Sequence, residues 1–203
     1  MHIQRVTVSA YTLYLNEKQL PCAGRIDPRT VVIAAMVHEL GALKYTEGIA
    51  ENNKNSGPRR PDSPDTVQHK QHELLFDFLR RLDCPPDVAG PAALIASLVS
   101  IWREFRDKEK IQGHCEAYPA LKFVQDADRL DDLGRVGIAK LVAERKGTIL
   151  ELVNRIDKSL AYCVDLMKTK VGRKEAEKRR AQMLEFREGL VGQTDCSVGL
   201  KAD

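Results

Sequence analysis

At 203 residues the chain is long enough to bury one sizeable core and, at most, a small appendage besides. Hydrophobic residues at 43% and charged residues at 30% are ordinary for a globular protein, and a net charge of +3 is too small to announce a nucleic-acid partner. Aromatics at 5% are too sparse for a base-stacking platform. Cys22, Cys84, Cys115, Cys163 and Cys196 are scattered with no C-x-x-C pair. No leader of the basic, apolar, small-residue form opens the sequence, so reduced thiols in a cytoplasmic protein are expected and a thiolate zinc site is not. The longest apolar run, Val31 to Val37, falls far short of the roughly 20 residues that cross a bilayer, so no membrane partner is expected.

Helical periodicity dominates from the start, and an all-α fold follows from it. Ile3, Val6, Ala10 and Leu13 share one face of a helix predicted from about His2 to Lys18. A loop with Pro21 and Gly24 follows. Asp27-Pro28 then supplies a cap and a proline at the first helical position. The helix they open is apolar all round through Val31–Val37, the pattern of a core element, and runs into His38-Glu39. Residues 46–62 are polar and rich in Asn, Gly and Pro, hence a loop. Ser63-Pro64 repeats the cap-then-proline signal for a helix to about Leu82. Pro85-Pro86 breaks the chain before a helix that runs to about Arg106. A charged, glycine-containing loop is expected next. Pro119 then opens the helix that carries Asp126 to Asp132. A break at Gly134, a resumption through Val136–Val142 and two helices over about 148–168 and 172–189 complete the reading. The chain reads as a single domain over 1–192, with residues 193–203 a disordered tail.

Two features stand out against this pattern. His38 and Glu39 close a helix that is otherwise apolar, where charge is costly unless paired or bound to a metal; His38 would equally suit the negative end of the helix dipole. Asp126, Asp128, Asp131 and Asp132 share a helix with Phe123, Val124, Ala127 and Leu130. At about 100° per residue, Asp131 falls between Ala127 and Val124, and Asp128 between Val124 and Leu121, so both invade the apolar face. A solvated face with partners such as Lys122 and Arg129 is the other reading, and the helical wheel does not choose among the aspartates. Imidazoles and carboxylates from separate helices can together hold a divalent ion inside a bundle.

His2-Ile-Gln-Arg-Val6, Ala34-Ala-Met-Val-His38-Glu-Leu-Gly-Ala-Leu-Lys44-Tyr45 and Val124-Gln-Asp-Ala-Asp-Arg-Leu-Asp131 resemble, in order, the H…HD…D signature of HD-domain metal-dependent phosphohydrolases. More narrowly they resemble its small single-domain bacterial and fungal group. Asp165 to Glu177 is similar to that group's C-terminal helix, so the resemblance spans about 2–190. It implies a helical HD-type bundle and hydrolysis of a nucleotide or other small phosphate ester through a metal-activated water. It further implies a single divalent ion (manganese, nickel, iron or similar) held by His2, His38, Glu39 and Asp128. Glu39 and Lys44 would be catalytic, and Lys44 and Arg129 would meet the substrate phosphate. Asp126 is the alternative ligand if the register shifts.

The sequence departs from the pattern at three places, the first being that His2, the second residue given, is expected in the first turn of its helix where relatives have a lead-in. Glu39 stands where the signature has aspartate, which moves the carboxylate by about 1.5 Å where catalytic geometry tolerates about 0.5 Å. Ala42 stands where relatives often carry an acid. These departures motivate a second reading, a catalytically degenerate HD-fold protein acting as a binding or regulatory module. Three other groups are expected to be bland. His69 and His72 lie i,i+3 on a helix without the surroundings of a second metal. His114-Cys115-Glu116 is expected in an exposed loop. The basic stretch Lys168 to Arg180, interleaved with Glu175 and Glu177, is expected to be a solvated face.

Overall fold

The computed structural model describes residues 1–17, 26–40, 64–143 and 147–194. They are helical, with no strand among them. The chain's internal contacts gather into two compact units, 1–128 and 129–203, set beside a sequence that reads as one domain over 1–192. None of the described helices is long and apolar enough to cross a membrane.

The first unit begins with α1 (His2–Glu17), which buries Val6, Ala10 and Leu13 on one face as the spacing predicts. The second helix, α2 (Pro28–Val37), starts where the sequence says it should. Asp27 is extended and its carboxylate accepts the Arg29 backbone N–H at 2.8 Å, with Pro28 at the first helical position. Val31, Ala34, Ala35 and Val37 are buried, but Met36 is half exposed, so α2 is not enclosed on every side. Then follow α3 (Pro64–Arg81) and α4 (Pro86–Ser97). The buried face of α4 is built largely from Ala89, Ala92, Ala93 and Ala96. Such small side chains let helix backbones approach closely, and α4 packs on both α2 and α3 while α1 packs on α2.

Two stretches differ from the sequence reading. The helix expected to run on to Arg106 ends at Ser97, and a separate α5 (Ile101–Arg106) starts after Ser100. The Ser97 hydroxyl donates to the Leu94 carbonyl at 2.7 Å, and the Leu98 carbonyl is taken by the Gln125 side-chain amide at 3.1 Å. Both bonds draw carbonyls away from a continuing helix. The supposed charged loop is a helix, α6 (Lys108–Ala117), capped by the Asp107 carboxylate on the Lys110 N–H at 2.9 Å. His114-Cys115-Glu116 therefore sits on a helix rather than in an exposed loop, and Cys115 is fully buried. Next comes α7 (Ala120–Asp131), whose Leu121, Val124 and Ala127 are fully buried.

In the second unit, α8 (Gly134–Ala143) packs against α9 (Ile149–Tyr162) and α10 (Lys170–Thr194), around Leu130, Ile156, Ala176 and Met183. A capping box starts α9: the Thr148 hydroxyl accepts the Glu151 N–H and the Glu151 carboxylate accepts the Thr148 N–H. Helix α10 continues through Thr194, so residues 193 and 194 are helical rather than part of a tail. Residues 195–203 lie outside the described residues. The basic stretch Lys168 to Arg180 is laced to its own acids, with Glu175 accepting from Arg179 at 2.8 Å and ion-paired with Lys178 at 4.0 Å, as suits a solvated face. Arg129 and Arg179 reach inward, donating to the carbonyls of Leu166 and Leu130 at 2.9 and 2.6 Å.

Two glycines of this unit bear opposite expectations. A Cβ on Gly137 would stand 2.1 Å from the Asp132 carbonyl oxygen, a clash with backbone that cannot swing away. Gly189, within α10, has open space around it. Gly137→Ala should lower stability by about 1–3 kcal/mol. Gly189→Ala should raise it by about 0.5–1 kcal/mol, because an exposed helical glycine is entropically costly. Urea unfolding of the two variants checks both signs.

Candidate metal centre

Three ends of chain elements converge in the first unit. His2 is the first residue of α1, His38 and Glu39 occupy the turn that closes α2, and Asp128 lies in the last turn of α7. Packing of α1 on α2 sets the first two side by side. The Tyr14 ring meets the Phe123 ring edge-on, with centroids 5.8 Å apart, and so ties α1 to α7. Buried Gln125 anchors α7 one turn before Asp128, donating to Leu98 and accepting from the Cys115 thiol at 3.6 Å.

The side chains meet through their tips. His2 Nε2 and His38 Nε2 are 3.3 Å apart. Asp128 Oδ1 lies 3.4 Å from the first and 3.5 Å from the second. Glu39 Oε1 lies 3.7 and 3.6 Å from the same two nitrogens. One donor atom from each of the four residues falls within 4.8 Å of all the others, and no second such group of His, Cys, Asp or Glu forms among the described residues. Donors about 2.1 Å from a common ion are separated by roughly 3.4 Å in a tetrahedron and 3.0 Å at right angles, so the spacing suits a shared divalent ion. Two imidazole nitrogens with two carboxylate oxygens also form a donor set that such an ion accepts.

The protein also fixes which nitrogen of His38 faces the cluster. His38 Nδ1 lies 2.7 Å from the Ala35 carbonyl oxygen, which can only accept, so Nδ1 carries the hydrogen. In the neutral ring Nε2 then presents its lone pair to the other three donors. The His38 side chain is almost wholly buried and Asp128 is three-quarters buried, whereas Glu39 is 44% exposed and makes the longest approaches. Burial opposes the charge on both His38 and Asp128, but their mutual contact prevails. It raises the His38 pKa above its ordinary value, and with His2 it holds the Asp128 carboxyl well below the usual carboxylate range.

The structure separates the acids that the helical wheel could not. Asp128 reaches the histidines. Asp126 is fully buried and stands outside the cluster, while Asp131 and Asp132 both receive Lys140 of α8. His69 is exposed and paired with Glu73 at 3.3 Å; neither it nor His72 belongs to a group of metal-competent donors among the described residues. Lys44 and Ala42 lie outside the described residues. Arg129 is buried and its guanidinium is engaged on the Leu166 carbonyl. Sequence reasoning missed Ala35 and Gln71: the Gln71 amide donates to the Leu40 carbonyl at 3.4 Å, bracing the turn that carries His38-Glu39. The signal for Ala35 was its three-residue offset from His38, and Gln71 gave none.

No protein-family model matches the chain. The protein named "Uncharacterized protein YpgQ" from Bacillus subtilis (strain 168) is 30% identical over 192 residues, covering 91% of this chain and 78% of that one. The chain belongs to the YpgQ family. A crystal structure of Bacillus subtilis YpgQ in complex with ADP superposes with a TM-score of 0.63 at 25% identity, over 96% of this chain and 88% of YpgQ. An HD-superfamily hydrolase from Bacillus thuringiensis superposes with a TM-score of 0.55 at 23% identity, over 95% of this chain and 84% of its own. The fold of this YpgQ-family chain is therefore the helical HD type that the signature segments imply.

The two pKa shifts predict opposite pH responses with and without metal. The raised His38 pKa contributes stability that is complete below about 6.5 and is lost as pH rises through the raised value. The lowered Asp128 pKa contributes stability present above about 3.9 and lost only in strong acid. In a chelator, Tm should therefore fall between pH 6 and pH 8, and His38→Gln should flatten that fall. Stabilisation by an added divalent ion should instead grow over the same interval, because bound imidazoles must be deprotonated. Thermal scans at the two pH values check both.

Proposed function

We propose that this YpgQ-family chain is a metal-dependent phosphohydrolase that cleaves a nucleotide or another small phosphate ester. The observation that carries the reading is the convergence of His2 Nε2, His38 Nε2, Glu39 Oε1 and Asp128 Oδ1 on one volume. The HD-type fold supports it, as does the ADP found in the crystal structure of YpgQ. His2, His38 and Asp128 are the ligands we assign with most of the geometry behind them; Glu39 is the fourth.

A divalent ion held by His2, His38, Glu39 and Asp128 would supply positive charge to a phosphoryl group and would make a water acidic enough to serve as nucleophile near neutral pH. The residues do the rest. His38, locked by the Ala35 carbonyl, keeps its lone pair aimed at the centre without rotamer search. Asp128, buried and ionised, sets the charge of the site. Glu39 has the exposed carboxylate of the set, so it is the group able to take a proton from an attacking water and release it to solvent. Of the basic residues expected at the phosphate, Lys44 keeps that assignment, whereas the engagement of Arg129 on Leu166 suits a supporting role.

The longer side chain and longer approaches of Glu39 favour a second reading, a fold that binds metal and nucleotide without turnover. Phosphate release from a panel of nucleotides, with and without added manganese, separates the two. The proposed function predicts metal-dependent release that Asp128→Ala and His38→Ala each reduce more than ~100-fold, while His69→Ala leaves it unchanged. Absence of release from the wild type and from Glu39→Asp alike, with metal bound, would establish the second reading.

A further inference from the structure

Gln71 lies buried on α3 and joins two other parts of the first unit. Its Nε2 donates to the Leu40 carbonyl at 3.4 Å, and its Oε1 accepts from Arg103 Nη2 of α5, also at 3.4 Å. These partners admit one orientation of the amide. A guanidinium can only donate and a carbonyl can only accept, so the oxygen faces Arg103 and the nitrogen faces Leu40. The position therefore calls for an amide: glutamate keeps the acceptor and loses the donor, and methionine keeps the volume and loses both.

Leu40 is the residue after Glu39, and its N–H closes the turn on the Val37 carbonyl at 2.9 Å. Carbonyls at the C-terminal end of a helix have no donor within the helix, and Gln71 supplies one here from another element. The four metal-competent side chains depend on this turn unequally. His38 is locked by the Ala35 carbonyl of α2, and Asp128 is carried within α7. Glu39 is one methylene longer than the aspartate of the signature, is 44% exposed, and approaches the histidines at 3.6 and 3.7 Å, the longest contacts of the set. Its reach is thus governed by the backbone direction of the turn, and that direction is what the Gln71 amide holds.

We propose that Gln71 is a positioning residue for Glu39, holding the turn through the Leu40 carbonyl so that the longer carboxylate can join an ion shared with His2, His38 and Asp128. Arg103 acts one step further out, by fixing which end of the amide faces the turn. The inference rests on the metal-centre reading and not on turnover.

Calorimetric titration of the full chain with manganese, in a double-variant cycle with Glu39→Ala, tests it. Gln71→Met should weaken manganese binding about tenfold, the lower end of what loss of a partner behind a ligand costs. In the Glu39→Ala background the same change should cost less than about twofold, because the group it positions is gone. A merely structural role in α3 would cost the same in both backgrounds. Gln71→Leu takes the place of Gln71→Met if the latter does not fold. Equal affinity of the wild type and a folded Gln71 variant, or an equal loss in both backgrounds, would overturn the positioning role and leave the metal centre standing. A wild type that binds no manganese would overturn the metal centre and this role with it.

Discussion

Two imidazole nitrogens and two carboxylate oxygens crowd into one part-buried volume, and that volume needs a positive charge the four can share. A proton serves between Asp128 and His38, which is why their pKa values move apart in opposite directions. A divalent ion would serve all four donors at once, because each offers a ligand atom within 4.8 Å of the others. The contacts that hold this volume in shape can be read as answers to the same demand: the Ala35 carbonyl on His38, Gln71 on Leu40, and Gln125 on the loop after α4.

The centre is assembled from element ends rather than from element middles. His2 begins one helix, His38 and Glu39 close another, and Asp128 lies near the end of a third. Ends are where backbone direction changes, so three helices can deliver side chains to a point without crossing through it. The alanine-rich face of α4 contributes by letting α2 lie close, which fixes the depth of His38. Exposure then grades the four side chains: His38 is enclosed, Asp128 and His2 are partly open, and Glu39 faces solvent. That gradient gives the cluster a closed side at His38 and a solvent-facing side at Glu39.

Much of this was legible in the residues. Asp27-Pro28 announced the start of α2, and its apolar body running into His38 announced that something polar waited at its end. The ordered segments around His2, His38 and Asp128 implied the HD-type fold that the superpositions show. Other parts were written in a form that one-dimensional reading does not decode. The break after Ser97 depends on Gln125, 27 residues away in sequence, claiming the Leu98 carbonyl. Helix α6 hides in a charged stretch because its burial is narrow, confined to Ile111 and Cys115. The choice of Asp128 over Asp126 or Asp131 could not come from periodicity, since all three are withdrawn from solvent and differ only in what they reach. Gln71 carries no pattern at all; its place is set by two partners distant in sequence.

Anomalous diffraction from crystals grown with manganese measures directly whether these four side chains enclose one ion. A single strong peak is expected in the first unit, about 2.0–2.3 Å from His2 Nε2, His38 Nε2 and Asp128 Oδ1, with Glu39 Oε1 drawn in beside them. A crystal at saturating manganese with no peak there, or with the peak on other residues, would contradict it.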